Sequence, residues 1–450
     1  MPRSRAAIRI YGVSVSDKSL PPGPRGIVEG TIYSLLFSRD FDAGITRMYS
    51  NYGRVSRIKL GPFSTVILVG ADANAFLMKS PPEKVQAGPA WRSLLPWYNG
   101  APLTLDGDAH TEQLKVLRPS FTVSQVSTYI PTMLLATHQH ARNWEGPVNL
   151  FQQMQSLTLD IAAQSLLGIR LEGRKREFLK RLAPMSDMIL GIPVRNLPLS
   201  RRWRGMRAHK RMWALIRELI TERIQCPGTN ALGALLSASD AHDMNSLDSA
   251  LVVNVFDMLA AGHKTTASLL TFALATLLTR RDLLERLRAE LRDCLGNDQL
   301  TVKGMASLSF MSNFMKEVQR LYPPTPYIVR TAMTDLYFEG YYIPKDTTML
   351  GAIRLTQLMP SLFHNPRQFN PDRYNAPHEE HKIPYALTPF GGGHHVCLGS
   401  NFAQIEAIVV LSALVRDFDF KLLTHKPLGT RYTPFGQPAA KILVKAVRRT

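Results

Sequence analysis

Residues 388–415 have the sequence TPFGGGHHVCLGSNFAQIEAIVVLSALV and contain three consecutive glycines before Cys397, with Gly399 following it. Glycines let the backbone turn sharply and approach a flat ligand closely. An apolar helical pattern begins just after Cys397, and a helix N-terminus stabilises a nearby thiolate through its free N–H groups and its dipole. The segment therefore predicts a loop that holds a cysteine sulfur as an anion against a flat ligand. The alternative is a glycine-rich turn beside a buried free cysteine.

The hydrophobic pattern outside this segment predicts a mostly α-helical fold with a smaller β-rich subdomain. Helical periodicity dominates residues 110–320 and returns at 401–418, whereas 54–70 alternate as a hairpin around Gly61-Pro62 and 325–350 have an extended pattern. We expect residues 1–24 to be an irregular leader that ends in a proline-rich stretch, and residues 25–450 to form one domain. The amphipathic helices expected with most support are 154–167, 213–224, 251–279 and 283–295.

The composition bounds the partners and the compartment. The chain has 450 residues and a formal net charge of +19, so nucleic acid, an anionic membrane surface and an acidic protein are the partner classes to consider. No nucleic-acid-binding motif occurs in the sequence, so we expect no nucleic acid partner. Three scattered cysteines, Cys226, Cys294 and Cys397, favour a reducing compartment. The sequence shows no signal peptide and no apolar run long enough to span a bilayer, which predicts a soluble, cytoplasmic protein.

The spacing around Cys397 resembles the haem-binding loop of the cytochrome P450 family. The resemblance implies that the Cys397 thiolate is the iron ligand of haem b, where such a ligand favours O–O cleavage. It also implies that His395, two residues earlier, contacts a haem propionate. The matching positions are Phe390, Gly391, Gly393, His395, Cys397, Gly399 and Ala403.

Other parts of the sequence match further elements of this family. Glu317 and Arg320 lie three residues apart in KEVQRLYPP, on one helix face, and FNPDRY supplies Arg373. The resemblance implies that these three form a buried ionic network behind the haem loop, with a structural role. It also places Arg330, in IVRTA, on a strand where it contacts a propionate.

The family resemblance further implies that His110 lies on a helix that crosses the propionates. Family members usually have an arginine or a histidine four residues later, where this sequence has Leu114. Lys115 is the nearest candidate to replace that contact, although it points about 100° away around the helix. The departure puts one propionate contact in question.

The apolar segment 251–279 corresponds to the long helix that crosses the distal face of the haem in this family. The motif AAGHKTT places Ala261 and Gly262 where the family needs close approach of oxygen and haem. The resemblance gives Thr265 the oxygen-handling hydroxyl, with Thr266 beside it. Lys264 stands where the family has a proton-relaying acid, and an ammonium has no acceptor. Asp257 is the nearest acid on the same face, but it lies seven residues away, about 10.5 Å along the axis.

Lys264 has four interpretations. It can point into a solvent channel and pair with an acid elsewhere, while water carries protons to Thr265. It can contact an anionic group of the substrate. It can mark chemistry that bypasses the usual dioxygen cycle, such as peroxide use or rearrangement, or it can mark an impaired enzyme. Burial lowers the pKa of an ammonium, so donation of a proton is chemically feasible.

The resemblance predicts a monooxygenase that hydroxylates or epoxidises an apolar small molecule, in secondary metabolism. Two alternatives are a peroxide-using or rearranging haem-thiolate enzyme and a non-catalytic haem binder or sensor. Residues 195–211 contain seven Lys or Arg and no acid, which is typical of a solvated face but also suits an anionic membrane surface or an acidic carrier protein. No redox module is fused to the chain, so a ferredoxin or flavodoxin with its reductase is the expected electron donor.

Overall fold

A computed structural model describes residues 19–60, 63–144, 146–189, 200–239, 248–296, 300–424, 428–432 and 435–449. Most of the expected leader, the turn Gly61-Pro62 and the first part of the basic segment 195–211 lie outside these residues. The described chain is predominantly helical with small sheets, which confirms the predicted fold class.

The helices lie where the periodicity predicts the main ones, but the helix expected at 213–224 is the second half of a longer one that begins at Arg201. The segment expected at 154–167 begins earlier, at Leu150, and ends in a π-helical turn, Ala163–Leu167. The described helices are α1 (Gly26–Arg39), α2 (Phe41–Tyr52), α3 (Ala71–Lys79), α4 (Gly88–Leu94), α5 (Gly107–Leu117), α6 (Val123–Ser127), α7 (Ile130–Ala141), α8 (Leu150–Ala162), α9 (Arg174–Ile189), α10 (Arg201–Ile224), α11 (Ala231–Ser237), α12 (Ser249–Thr279), α13 (Arg281–Leu295), α14 (Val302–Ala306), α15 (Ser309–Leu321), α16 (Ile353–Thr356) and α17 (Ser400–Asp417).

The strands form one five-stranded sheet and three smaller ones. The predicted hairpin is present, with Val55 opposite Leu68, and its second strand pairs in parallel with the strand that ends the extended region. The five-stranded order is β1-β2-β8-β5-β3. The strands are β1 (Val55–Leu60), β2 (Phe63–Leu68), β3 (Val85–Gln86), β4 (Val148–Asn149), β5 (Ile328–Ala332), β6 (Leu336–Phe338), β7 (Tyr341–Ile343), β8 (Thr348–Gly351), β9 (Phe418–Leu422), β10 (Thr430–Tyr432), β11 (Gly436–Pro438) and β12 (Leu443–Arg448).

The central helix α12 runs for 31 residues through the main apolar core. It begins where the Asp248 side chain accepts a hydrogen bond from the Leu251 backbone N–H at 2.5 Å, which satisfies a free donor of the first turn. Most of its side chains are buried, because it packs between α8 on one side and α17 on another. A helix that is apolar almost all round is stable only inside a large core. No helix of the described residues is long and apolar enough to cross a membrane.

The helix α17 places the loop of residues 388–399 under α12. Its apolar side chains join the same core, and it packs against α7 and α12. Two smaller apolar clusters cover the faces of the five-stranded sheet, one with α1 and α2 and one with α3. The cysteine loop and the motif AAGHKTT are therefore held by two helices that share one core.

Candidate functional site

A cavity of about 440 Å³ separates α12 from the loop before α17. Its walls are mainly apolar and aromatic, with Trp91, Trp97, Phe121 and Phe256 among them. The side chains of His, Asp, Lys, Arg and Cys that line it are His110, Asp257, Lys264, Arg330, His395 and Cys397. Such an enclosed apolar space with a few polar groups is typical of a cofactor or small-molecule site.

The loop geometry places Cys397 at one wall of this cavity. The Cys397 backbone N–H donates to the Phe390 carbonyl oxygen at 2.9 Å, which closes the loop. Gly391 and Gly393 have φ values of +70° and +66°, which favour glycine. A Cβ on Gly393 would lie 1.8 Å from the Met78 carbonyl oxygen, so no side chain fits there. Glycine is thus required at these positions by the backbone conformation of the loop and by its close approach to Met78.

The sulfur of Cys397 lies deep in the protein but opens into the cavity. Burial raises the pKa of the Cys397 thiol to about 11, while a hydrogen bond from the Gly399 backbone N–H opposes that rise. Desolvation thus exceeds the effect of the N–H groups at the helix N-terminus, so these groups do not by themselves hold the sulfur as an anion. A metal ion at the sulfur would supply the positive charge that a thiolate needs there.

Arg330 faces the cavity from β5. Its Nη1 donates to the Val329 carbonyl oxygen at 2.9 Å, and its other donors have no partner among the described residues. Burial lowers the pKa of Arg330 to about 10. A buried guanidinium with free donors is suited to an anionic ligand group.

His395 and His110 lie together at the same wall, with ring centres 4.3 Å apart. The Asp106 carboxylate lies 3.0 Å from His395 Nε2 and also accepts hydrogen bonds from the backbone N–H groups of Ala87 and Gly88. One ring nitrogen of His395 is thus already engaged. Burial and the neighbouring His395 lower the pKa of His110 to about 4, so this imidazole is neutral at pH 7.

Lys115 does not replace the contact that is missing at Leu114. Leu114 lines the cavity, whereas Lys115 is exposed and its ammonium donates to the Glu112 carboxylate at 2.7 Å. The physical reason is the turn of about 100° between successive residues of a helix. No cation occupies this position of α5 in the described chain.

Thr265 and Ala261 face the cavity from α12, across from the cysteine loop. The Thr265 hydroxyl donates to the Ala261 carbonyl oxygen at 2.6 Å, so its lone pairs remain free to accept a hydrogen bond from water. Gly262 also lines the cavity, and a Cβ there would meet only Ala162 at 3.8 Å. No other described residue therefore crowds Gly262, and any requirement for glycine would come from the cavity side.

Lys264 lines the cavity without an ion pair or a hydrogen bond among the residues described. Its Nζ lies 5.7 Å from the centre of the Phe435 ring, a cation–π distance. Burial lowers the pKa of Lys264, and the charge of Asp187, at the end of α9, opposes the shift. Asp257 does not contact Lys264.

Two carboxyl groups lie at the site, Asp257, which the sequence suggested only as a distant neighbour of Lys264, and Glu406, which was not predicted. Asp257 Oδ1 accepts a hydrogen bond from the Tyr98 hydroxyl at 2.5 Å. The Glu406 carboxyl, fully buried on α17, approaches the Thr266 hydroxyl without hydrogen-bond geometry, and both of its oxygens lack a partner in the described part of the chain. Burial raises the pKa of Glu406 well above its usual range. An acid in the middle of the apolar pattern of 401–418 was the available signal.

The structure brings together Glu317, Arg320 and Arg373. The Glu317 carboxylate accepts two hydrogen bonds from Arg320, at 2.8 and 2.9 Å, and one from Arg373 at 3.0 Å. All three side chains are buried. The remaining Arg320 donors bind the carbonyl oxygens of Gln357, Pro366 and Gln368, so the network ties α15 to the segment that leads to the loop.

The comparisons with known proteins agree with this geometry. Residues 21–446 match the cytochrome P450 family. The putative cytochrome P450 120 of Synechocystis sp. is 27% identical over 437 residues, which cover 96% of this chain and 98% of that protein. Cytochrome P450 26A1 of Xenopus laevis is 28% identical over 432 residues, or 91% of this chain and 87% of that protein.

A solved structure shows the same fold. The retinoic acid-bound cyanobacterial CYP120A1 superimposes with a TM-score of 0.86 at 26% identity, and the match covers 96% of this chain and 100% of that chain. Similarity of sequence and of fold thus extends over nearly the full length. The chain belongs to the cytochrome P450 family of haem monooxygenases.

Proposed function

We propose that this protein binds haem b and inserts one atom of dioxygen into an apolar small molecule, by hydroxylation or epoxidation, in secondary metabolism. The observation that carries the proposal is that Cys397 and Thr265 face one cavity from two different elements. One side chain suits an iron ligand and the other suits oxygen handling. The family membership supports haem and monooxygenase chemistry, and the assignment of roles to these residues is our own.

The residues of the cavity fit haem. Cys397 would ligate the iron, and Arg330, with donors that lack a partner among the described residues, would bind a propionate together with His110 and His395. Phe390, Gly391 and Gly399 would shape the wall beside the ring, and Ala261 with Gly262 would form the opposite wall. When bound, haem supplies the activation of dioxygen with electrons from a donor.

Thr265 would position water near the oxygen-binding side of the cavity. Its hydroxyl proton is engaged with the Ala261 carbonyl, so the oxygen accepts a hydrogen bond and holds a water molecule in place. Thr266 and the Glu406 carboxyl lie just behind it. We propose that water held by Thr265 carries protons into the cavity. The Glu406 carboxyl, whose pKa is raised by burial, would be a second source of protons near Thr266.

Lys264 would act as a bystander in this scheme. Its ammonium is held by the Phe435 ring and by the field of Asp187, and no hydrogen bond joins it to Thr265 in the described structure. This arrangement favours the interpretation in which Lys264 takes no direct part in proton delivery, although Asp187 acts on it only through its charge and forms no ion pair with it in the described structure. The lysine nevertheless replaces the family acid, and that one observation supports a second candidate function, in which a peroxide serves as oxidant.

The substrate would be a bulky apolar molecule. The cavity walls are rich in Leu, Phe and Trp, and a structural relative binds retinoic acid. Electrons would come from a ferredoxin or a flavodoxin with its reductase, in the cytoplasm. The exposed basic face of α10, with Arg201, Arg204, Arg207, Lys210 and Arg211, suits an acidic carrier protein or an anionic membrane surface as a further partner.

Oxygen consumption with a reconstituted redox partner tests the proposal. We expect product formation that depends on both reductant and dioxygen, with hydrogen peroxide a poor substitute at equal oxidant concentration. Product formed with peroxide but without reductant would favour the second candidate. Haem binding without product under either condition, across a panel of apolar compounds, would favour a non-catalytic binder.

A further inference from the structure

Asp257 presents a free carboxylate oxygen to the cavity. It lies on α12 one turn before Ala261, and its side chain lines the cavity. Oδ1 accepts the hydrogen bond from Tyr98, whereas Oδ2 has no partner among the described residues. The family resemblance assigns no role to this position, and the proposed proton route through Thr265 does not use it.

The Tyr98 hydroxyl fixes the orientation of this carboxylate. Tyr98 is buried, and its ring packs edge-on against Phe256 with centres 5.6 Å apart. The Asn254 side chain, one turn before Asp257, donates to the Gly100 carbonyl oxygen at 3.2 Å and so ties the Tyr98 segment to α12. The hydrogen bond from Tyr98 therefore orients the Asp257 carboxylate, and the bond from Asn254 fixes the Tyr98 segment against α12.

No cation of the described chain neutralises Asp257. It forms no ion pair with a Lys, Arg or His among those residues. Lys264 is seven residues further along, about 10.5 Å on the helix axis. Arg330, His110 and His395 lie at the wall proposed for the propionates. Burial penalises an unpaired carboxylate and raises the pKa of Asp257 to about 6, so a ligand cation at Oδ2 would recover part of the cost of desolvation.

We propose that Asp257, oriented by Tyr98, binds a protonated amine of the substrate. The substrate class is an apolar molecule with one basic nitrogen, whose N–H forms a charge-assisted hydrogen bond to Oδ2. A substrate with a hydroxyl in place of the amine would bind about equally well whether residue 257 is an acid or an amide. A substrate with a carboxylate there would be repelled by Asp257. The inference rests on the proposed function, since it places a substrate in the cavity of a haem enzyme.

Isothermal titration calorimetry on the haem-loaded protein tests this with three ligands on one scaffold. They are N,N-dimethyl-4-phenylbutylamine, 4-phenylbutanol and 4-phenylbutanoic acid. We expect the amine to bind tightest. In Asp257→Asn, which keeps the size but removes the charge, amine affinity should fall about 10- to 100-fold, as for a lost hydrogen bond to a charged group. Alcohol affinity should change less than about threefold.

Two further variants distinguish the effect of the Asp257 charge from the effects of Tyr98 and Lys264. Tyr98→Phe frees the carboxylate and should weaken the amine by less than Asp257→Asn. Lys264→Met changes the other charge on the same face of α12 and should leave amine affinity unchanged or raise it. The ranking of the three ligands on the unsubstituted protein does not depend on any variant folding.

Four results would overturn the inference. Tightest binding of 4-phenylbutanoic acid would mean that Lys264, and not Asp257, binds the polar group of the ligand. Equal binding of the alcohol and the amine would mean that charge has no role. Unchanged amine affinity in Asp257→Asn would mean that Asp257 does not bind the amine. A red-shifted haem band with the amine would show nitrogen bound to iron, which also contradicts the proposal. A carbon monoxide difference spectrum of the same preparation shows separately whether the haem is bound through a thiolate. Failure of the amine to bind can therefore be distinguished from failure of the proposed function.

Discussion

The Arg320 guanidinium and the Glu317 carboxylate form two parallel hydrogen bonds, 2.8 and 2.9 Å long, in the protein interior, where neither side chain has accessible surface. Arg373 adds a third contact to the same carboxylate. Breaking a buried pair leaves an uncompensated charge in a region that water does not reach. Glu317 is therefore the shared counter-charge of two buried guanidinium groups.

Glu317→Gln should therefore strongly destabilise the protein. Two buried guanidinium groups would lose their shared counter-charge, and we expect the free energy of unfolding to fall by about 3–5 kcal/mol. Denaturant-induced unfolding, followed by circular dichroism, measures it.

The matched control is Glu112→Gln. Glu112 also pairs with a cation three residues later on a helix, but that pair with Lys115 is exposed. It should show no measurable change in stability. Equal effects of the two substitutions would mean that burial of the network adds nothing to its importance.

Thr265→Ala should uncouple electron use from product formation. Without the Thr265 hydroxyl oxygen, the water molecule near Ala261 loses the group that accepts its hydrogen bond, so it no longer delivers protons at a fixed position. We expect product per reductant to fall about 10- to 100-fold, with hydrogen peroxide released instead, while reductant consumption continues. Thr265→Ser retains the hydroxyl and should keep most of the coupling. Equal coupling in the alanine and serine variants would contradict the role given to Thr265.

Lys264→Glu tests whether the lysine is passive. Its ammonium contacts the Phe435 ring and no hydroxyl of the site among the described residues, so coupling should stay within about threefold of the unsubstituted protein. Lys264→Met, which keeps the apolar stem, should behave alike. A collapse of turnover and coupling in both variants would give Lys264 a direct part in proton delivery.

Stability should depend on pH through His263. This imidazole is fully buried on α12, facing away from the cavity, and burial lowers its pKa from 6.5 to about 4. The unfolded chain then binds more protons than the folded one between these values, so stability falls as the pH falls.

From pH 7 to pH 5, His263 should account for a loss of about 2 kcal/mol in the free energy of unfolding. His263→Gln removes the titrating group and should flatten the profile by that amount, whereas His378→Gln, at an exposed site, is the control. Parallel profiles for His263→Gln and the unsubstituted protein would show that the folded protein accepts the proton without cost.

The sequence predicts the fold class and the local elements of the site because each is encoded in a short stretch. The glycines before Cys397, the long apolar helix and the hairpin each follow from residues within a few positions of one another. The assembly of Glu317 with Arg373, which are 56 residues apart, was anticipated only through the family resemblance.

Contacts across long separations escaped prediction for a physical reason. Tyr98 and Asp257 are 159 residues apart, and no local pattern shows that two distant segments meet at a cavity. Glu406 has the same limitation, because only packing of α17 on α12 brings it near Thr266. The thiol pKa of Cys397 depends on how deeply the loop is buried, which the helix start alone does not reveal.

The central claim is that Cys397 binds haem iron through a thiolate, and a carbon monoxide difference spectrum of the reduced protein tests it most directly. We predict the red-shifted band of a thiolate-ligated haem, its loss in Cys397→Ser, and its retention in Cys226→Ser and Cys294→Ser, which alter the other two cysteines. Absence of that band in the unsubstituted, haem-loaded protein, or its persistence in Cys397→Ser, would contradict the account.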